Sequence, residues 1–170
     1  MKPKLVIVMG VSGCGKSTIA EAIASEYDYQ FVEADDFHPQ QNKQHMAAGK
    51  PLTDAMREPW LDLLTTHLQK AALREQNCVM SFSGLRRKHR ARMHDLPFDV
   101  LCLHLEGDAQ LIRSRMQTRE DHFMPSSLLD SQYHALQSTH NEPNTYSIHI
   151  NQSLANVVAD AITLVGKADT

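Results

Sequence analysis

A glycine-rich segment near the amino terminus has the residue types and spacing of a phosphate-binding loop. It matches the pattern G-x-x-x-x-G-K-[ST] at every position and consists of Gly10, Val11, Ser12, Gly13, Cys14, Gly15, Lys16 and Ser17. Its glycines allow backbone N–H groups to converge on phosphate oxygens, while Lys16 can reach the β and γ phosphates and the Ser17 hydroxyl can complete a Mg²⁺ shell. A turn that only joined a strand to a helix would not need lysine and serine at these positions. The motif therefore predicts a site for a nucleoside triphosphate with Mg²⁺.

An acidic cluster follows the second predicted strand. Glu33, Asp35 and Asp36 come directly after the apolar pair at 31–32. Phosphoryl transfer needs a carboxylate near the acceptor hydroxyl, and we predict that Asp35 orients this hydroxyl or accepts its proton, with a helix-cap or turn aspartate as the alternative. Glu33 or Asp36 is expected to hold Mg²⁺ through water. We assign Glu33 to the metal site with Ser17, although the residue order does not separate the two acids.

A dense basic cluster lies near the middle of the chain and consists of Arg86, Arg87, Lys88, Arg90 and Arg92. Arg86, Arg90 and the more distant Arg57 are candidates for binding a substrate carboxylate, because a guanidinium can hold a carboxylate through two parallel hydrogen bonds. A solvated helix face or a nucleic-acid contact is the alternative. The formal net charge of −3 argues against a nucleic-acid partner.

Two further arginines stand four residues apart and would lie on one face of a helix end. Arg115 and Arg119 precede the string His122-Phe123-Met124-Pro125. Arginines in a mobile lid can close over the phosphates and neutralise charge in the transition state. We therefore predict that Arg119 acts with Lys16 and Asp35 in catalysis, and that Arg115 and Thr18 join the phosphate loop in contacting ATP. Surface salt bridges are the alternative.

The class of nucleotide-binding protein follows from what else the chain contains. A GTPase should carry an Asn-Lys-x-Asp guanine reader, but the nearest string, at 42–45, is Asn-Lys-Gln-His and lacks the aspartate. Motor and transporter ATPases usually need more than 170 residues. The sequence therefore favours a kinase for a small molecule or a nucleotide.

The elements that must position these residues alternate between short apolar runs and helical patterns, which is typical of an α/β domain with a mainly parallel sheet. We predict strands at 5–9, 31–32, 78–82, 100–105 and 146–150. We predict helices at 17–27, 41–48, 109–117 and 125–136, a long helix that begins at Pro59, a helix that carries the basic cluster and a last helix capped by Ser153. We expect one domain over residues 1–170.

Composition excludes several other classes of protein. With 42% hydrophobic and 22% charged residues and with 7 Gly and 7 Pro, the chain is neither collagen-like nor largely disordered. No apolar stretch approaches the length of a membrane span, and the amino terminus lacks the apolar core of a signal peptide. The 3 cysteines have no CxxC spacing, and no histidine pair has a zinc-motif spacing. We expect reduced thiols, no membrane partner and a cytoplasmic location.

Several strings beyond the phosphate loop resemble those of the short gluconokinases of the shikimate kinase-like group. The similar strings are D-D-F-H-P at 35–39, M-A-A-G-K-P-L-T-D at 46–54, R-E-P-W-L at 57–61, S-G-L-R at 83–86, H-F-M-P at 122–125 and L-L-D-S-Q at 128–132. The resemblance covers most of the chain. It implies transfer of the ATP γ-phosphoryl to D-gluconate.

The same resemblance implies a structure and further site residues. It implies a three-layer fold with a five-stranded parallel sheet in the order 2-3-1-4-5, a mobile lid at about 116–127 and a homodimer. His38 and His122 are expected to contact the substrate together with Asp35 and the candidate arginines. For His38, a structural hydrogen bond is the alternative to a contact with a polyol hydroxyl.

Departures from the family strings lie near the expected acceptor pocket. Met56 stands where the family commonly has aspartate, Arg86 where it has lysine and His89 where it has tyrosine. Arginine binds a carboxylate differently from lysine, because its guanidinium is a planar fork. Two alternatives therefore stay open, which are a kinase of the same fold for another small acceptor and a nucleotide-binding protein with impaired catalysis.

Overall fold

The computed structural model describes residues 1–117 and 128–169. Its centre is a parallel sheet in the order β2-β3-β1-β4-β5, which confirms the expected topology. The strands are β1 (Lys4–Met9), β2 (Gln30–Glu33), β3 (Cys78–Phe82), β4 (Asp99–Glu106) and β5 (Thr145–His149). Met9 pairs with Phe82 on one side and with His104 on the other, so the carboxyl ends of the central strands lie at the same edge.

Helices cover both faces of the sheet. They are α1 (Lys16–Tyr27), α2 (Gln40–Ala47), α3 (Asp54–Leu73), α4 (Arg87–His94), α5 (Ala109–Gln117), α6 (Leu129–Ala135) and α7 (Leu154–Ala168), and a short 3₁₀ turn spans Ala34–Phe37. Among the helices of the described part, none is long and apolar enough to cross a membrane.

The central strand explains why the apolar run near the amino terminus is continuous. Val6 and Val8 pack into a core with α1, α5, α6 and α7, whereas Leu5, Ile7 and Met9 pack into a second core with α3 and α4. Successive side chains of a strand point to opposite faces, so a strand covered on both faces must be apolar at every position. This burial fixes the position of β1, and with it the position of the loop that follows.

The start of the longest helix differs from the prediction. We expected it to begin at Pro59, but α3 begins at Asp54, and the Thr53 hydroxyl caps it by accepting a hydrogen bond from the Met56 backbone N–H at 3.2 Å. Pro59 lies inside the helix, where it has no backbone N–H to donate to the carbonyl four residues earlier. The cap of the last helix is as predicted, since Ser153 accepts from the backbone N–H of Asn156. The predicted helix start at Pro125 lies outside the described residues.

Candidate active site

The phosphate loop connects the buried strand β1 to the amino terminus of α1. Gly15 occupies the cap position of α1 with a left-handed φ of 97°, and it has no side chain that could accept from the first N–H groups of the helix. Gly13 also has a positive φ, of 81°, and a Cβ there would lie 2.5 Å from Met116 Cγ. The loop therefore lies at the amino terminus of a helix that has no side-chain cap, which is a suitable site for phosphate oxygens.

Two side chains of the loop make contacts that suit a nucleotide. The Lys16 ammonium donates to the Val11 carbonyl oxygen at 3.0 Å, so it lies folded over the loop. The Ser17 hydroxyl donates to Glu33 Oε2 at 2.5 Å and lies 3.4 Å from the hydroxyl of Ser81. Pairing of β2 with β3 places Glu33 opposite Ser81, and partial burial raises the pKa of the Glu33 carboxyl.

These oxygens fit the preferences of Mg²⁺. Hydroxyl and carboxylate oxygens are hard ligands, and Mg²⁺ in kinases keeps several waters and binds substrate phosphates. Within residues 1–117 and 128–169, no cluster of three or more His, Cys, Asp or Glu could hold a metal ion by itself. The contact between Ser17 and Glu33 therefore agrees with a metal held by one hydroxyl, by water and by phosphate, rather than by a cage of protein ligands.

A cavity of about 320 Å³ opens beside the phosphate loop and brings together most of the predicted acceptor residues. Its lining includes Lys16, Asp35, His38, Arg57 and Arg86. The loop supplies one wall, the 3₁₀ turn after β2 supplies Asp35, and α3 and the segment before α4 supply the two arginines. The cavity therefore combines a cation for phosphate, a carboxylate and two guanidinium groups.

The ring of His38 is held rigidly in the wall of this cavity. It stacks on Trp60 with ring centroids 4.2 Å apart, and the Trp60 indole N–H donates to the Ala34 carbonyl oxygen at 2.7 Å. His38 is 8% exposed, and burial lowers its pKa to about 4. The imidazole is therefore neutral at neutral pH. Its Nε2 lies 3.8 Å from Asp35 Oδ1.

Positive charge exceeds negative charge at the rim of the cavity. Asp54 lies within 4 Å of three cationic groups, with Arg57 Nη1 at 3.1 Å, Lys88 Nζ at 3.3 Å and Arg86 Nε at 3.7 Å. One carboxylate cannot neutralise three cations. The rim is therefore suited to an anionic group of the ligand.

Comparison with known proteins identifies the family. A family model described as an AAA domain matches residues 5–143. Gluconokinase of Gluconobacter oxydans (strain 621H) is 40% identical over 139 residues, which cover 81% of this chain and 77% of that protein. Thermosensitive gluconokinase of Escherichia coli (strain K12) is 37% identical over 152 residues, which cover 89% of this chain and 81% of that protein. The chain belongs to the gluconokinase family.

Solved structures agree with this membership in the gluconokinase family. A gluconokinase from Sinorhizobium meliloti 1021 superposes with a TM-score of 0.86 at 36% identity and covers 98% of this chain and 93% of its own. An unliganded sugar kinase from Janibacter sp. HTCC2649 superposes with a TM-score of 0.91 at 38% identity, covering 96% of this chain and 95% of its own. The three-layer kinase fold is thus the fold of the family.

Arg90 corrects one of our predictions for this member of the gluconokinase family. The side chain is 1% exposed, and its guanidinium donates to both carboxylate oxygens of Glu142, at 2.8 and 2.6 Å, and to the Gly84 carbonyl oxygen at 2.6 Å. Further bonds run to the carbonyl oxygens of Gln137 and Ser138. Arg90 therefore anchors the loop after α6 to the turn before α4 and is not a substrate contact. Spacing could not separate it from Arg86, because residues four apart are expected on the same face of a helix, whereas Arg86 lies before the first residue of α4 with an extended backbone.

The remaining predicted residues divide between a second cleft and the part of the chain that is not described. Thr18 and Arg115 line a cleft of about 270 Å³ on the other side of the phosphate loop, with Gly13 and Gly15. Arg115 Nη2 donates to the Ile150 carbonyl oxygen at 2.9 Å. Arg119 and His122, and most of the expected lid, lie outside the described residues.

Sequence reasoning missed two amide side chains at the site. Gln132 of α6 lines the cavity and accepts a hydrogen bond from the Ser12 backbone N–H at 2.6 Å. Asn42 of α2 is 4% exposed and contacts His38. Both residues stand in or beside strings that resemble the family, and this was the one signal in the sequence that could have found them.

Proposed function

We propose that this protein transfers the γ-phosphoryl group of ATP to the primary hydroxyl of D-gluconate and yields 6-phospho-D-gluconate and ADP. One observation carries this proposal. A single cavity is lined by the phosphate-loop cation Lys16, by the carboxylate of Asp35 and by the guanidinium groups of Arg57 and Arg86. These groups match the three parts of the reaction, which are a transferring phosphoryl group, an attacking hydroxyl and a substrate carboxylate. The names of the curated relatives support the same substrate.

The transfer step is an in-line displacement at the γ-phosphorus. The acceptor oxygen forms a bond to phosphorus, the bond from phosphorus to the oxygen bridging the β and γ phosphates breaks, and ADP leaves with that electron pair. We infer that Asp35 orients the hydroxyl and takes its proton. Lys16 exchanges its contact with the Val11 carbonyl for the β and γ phosphates and so stabilises the developing charge.

Ser17 and Glu33 would hold Mg²⁺, which neutralises phosphate charge when it is bound with ATP. Their hydrogen bond of 2.5 Å leaves the hydroxyl and the carboxylate beside the amino terminus of α1, where the phosphates would lie. Glu33 would act through water. We propose this assignment over Asp36, since Asp36 is exposed.

The residues that line each cleft indicate where the gluconate carboxylate and the nucleoside end of ATP would bind. Arg57 and Arg86 would bind the gluconate carboxylate, because the rim of the cavity carries excess positive charge. The second cleft, lined by Thr18 and Arg115, would take the nucleoside end of ATP. A closing lid that contributes Arg119 and His122, a homodimeric assembly and a cytoplasmic location are proposals supported by the family resemblance.

Arg86 and His89 differ from the family strings, and their positions favour gluconate over another acceptor. Arg86 lines the cavity and keeps a positive charge there, as the lysine of the family would. His89 is 2% exposed and is packed beneath the rim. Histidine in place of the family's tyrosine at position 89 therefore changes the packing beneath the cavity more than the surface that a substrate would contact.

The first experiment measures acceptor-dependent ADP release with Mg-ATP. It compares D-gluconate with L-idonate, other aldonates, shikimate and nucleoside monophosphates at equal concentration, with Lys16→Ala as the control for a contaminating kinase. We expect preference for D-gluconate and no turnover by the variant. Preference for another acceptor would support a different kinase of the same fold. ATP binding without turnover on any acceptor would support a catalytically impaired protein.

A further inference from the structure

The buried amide of Asn42 has only one possible orientation. Its Nδ2 lies 2.8 Å from the backbone carbonyl oxygen of Met56 and 3.2 Å from Nδ1 of His38. A carbonyl oxygen cannot donate, so the atom that faces Met56 must be the amide nitrogen rather than the amide oxygen. One amide hydrogen therefore goes to Met56, and the other goes to the imidazole.

This amide determines which nitrogen of His38 carries the proton. Because Nδ1 accepts from Asn42, it must hold a lone pair, and the hydrogen of the neutral ring is then on Nε2. Burial keeps the ring neutral by lowering the pKa of His38 to about 4. Lys43 and Arg57 act in the same direction, while Asp35 opposes them. The stack on Trp60 fixes the plane of the ring and hence the direction of the Nε2–H bond.

The separation between His38 and Asp35 fits a third atom. Nε2 and Oδ1 are 3.8 Å apart, which is too long for a direct hydrogen bond. A hydroxyl oxygen can lie about 2.8 Å from both atoms at once. It would accept from Nε2–H and donate to the carboxylate. Both side chains line the cavity, so a ligand hydroxyl can reach them.

We propose that Asn42 is a positioning residue that fixes the tautomer of His38, so that His38 Nε2–H and the Asp35 carboxylate form a donor–acceptor pair for one hydroxyl of the acceptor. The tautomer stands on the described contacts, and the identity of the hydroxyl rests on the proposed function. With the proton on Nδ1 instead, Nε2 and Asp35 would both be acceptors. One hydroxyl hydrogen could then satisfy only one of them.

A nuclear magnetic resonance experiment tests the tautomer without any activity assay. Long-range ¹H–¹⁵N correlation of the imidazoles at pH 7 shows which nitrogen is protonated, and His38→Gln assigns the signal of His38 by its loss. We expect protonated Nε2 in the wild type. In Asn42→Asp the carboxylate should draw the proton to Nδ1. A wild-type ring with the proton on Nδ1 overturns the proposal, and so does a variant ring that keeps the wild-type tautomer.

A double-mutant cycle tests the effect of the tautomer on the reaction. The side-chain amide that His38→Gln introduces can offer a donor near the position of Nε2 without help from Asn42. Asn42→Ala should lower kcat/KM for gluconate about tenfold in the wild-type background and less than about twofold in the His38→Gln background, while the KM for ATP is unchanged. Equal losses in the two backgrounds would mean that Asn42 only supports α3, and would overturn the proposal.

Two controls keep the outcomes distinct. Gln41→Ala changes an exposed neighbour on the same helix and should leave kcat/KM within about twofold. If Asn42→Ala unfolds, Asn42→Asp has the same size and replaces it in the cycle, with a Tm measured for each variant. If the wild type does not phosphorylate gluconate, the proposed function fails, while the resonance experiment still decides the tautomer.

Discussion

The backbone N–H of Ser12 donates to Oε1 of Gln132 over 2.6 Å. The carbonyl of the same peptide unit, at Val11, accepts from the Lys16 ammonium at 3.0 Å. Because N–H and C=O point in opposite directions in a trans peptide, this unit is held between α6 and the phosphate-binding lysine. Helix α6, which follows the expected lid in the sequence, thus holds the peptide unit between Val11 and Ser12 from the side of the acceptor cavity.

Replacing Gln132 by methionine should therefore impair the phosphate loop. The methionine has a similar size but no strong acceptor, so we expect kcat/KM for ATP to fall about tenfold, the range of one lost hydrogen bond at a phosphate site. Steady-state kinetics with varied ATP measure this loss. Asp130→Asn alters an exposed residue of the same helix and should change little; a comparable loss there would point to general damage to α6.

Asp35→Asn should lower kcat by a factor of about 10² to 10⁴, because asparagine cannot accept the proton of the acceptor hydroxyl. The affinity for ATP should change far less, as measured by calorimetric titration. The matched control is Asp36→Asn, which changes the exposed neighbour in the same 3₁₀ turn. Parallel losses of kcat and ATP affinity in Asp35→Asn would assign this carboxylate to the metal or to the structure of the turn.

Arg57→Met should discriminate between charged and neutral acceptors. If Arg57 binds the carboxylate, kcat/KM for gluconate should fall about 10- to 100-fold, as for loss of a charge-assisted hydrogen bond. The reaction with gluconamide, which lacks the charge, should be much less affected. The assay is ADP release with each acceptor in wild type and variant. A loss of the same size for both acceptors would contradict a carboxylate contact.

Arg90→Met should destabilise the fold rather than alter the chemistry. The substitution removes the buried partner of Glu142 and the donor that Arg90 gives to the carbonyl oxygens of Gly84, Gln137 and Ser138, so we expect a loss of about 3–5 kcal/mol in the free energy of unfolding. Urea unfolding measures it. Arg87 also contacts Glu142, at 3.4 Å, but its side chain is 62% exposed, so Arg87→Met should cost less than about 1 kcal/mol. Similar losses in the free energy of unfolding for the two variants would show that the burial of Arg90 does not determine its contribution to stability.

Two buried histidines should make stability depend on pH. Burial lowers the pKa of both His38 and His89 to about 4, whereas an unfolded histidine titrates at about 6.5. Between these values the unfolded chain binds protons that the native chain does not, so stability is complete above about pH 6.5 and decreases as the pH falls towards 4.

Urea midpoints between pH 4 and 8 test this dependence. Carboxylates also contribute at acid pH, so the comparison is with His89→Leu, in which the slope between pH 6.5 and 4 should decrease. The buried Nε2 of His89 has no hydrogen-bond partner among the described residues, so the substitution removes a titrating group without breaking a bond at that atom. An unchanged slope would rule out His89 as a contributor.

Local signals in the sequence predicted most of the fold. The predicted bounds of β3 and α5 agree with the structure, because an apolar run between polar segments and a helical stripe are properties of short stretches of chain. The phosphate loop is likewise contiguous, and its chemistry is carried by residue types at fixed spacing. Local signals misled us at Pro59, because Thr53 caps α3 before this residue and the proline lies inside the helix rather than at its start.

The sequence by itself determined the phosphate loop, the α/β class and the residue types available to the acceptor site. Only the tertiary structure decided which of these residues meet. Arg86 and Arg90 look alike in sequence, but one lines the cavity and the other is buried against Glu142, 52 residues away. Gln132 reaches Ser12 across 120 residues. Such contacts depend on how the helices pack on the sheet. This packing is determined by the apolar surface that the whole chain buries, rather than by any local spacing of residues.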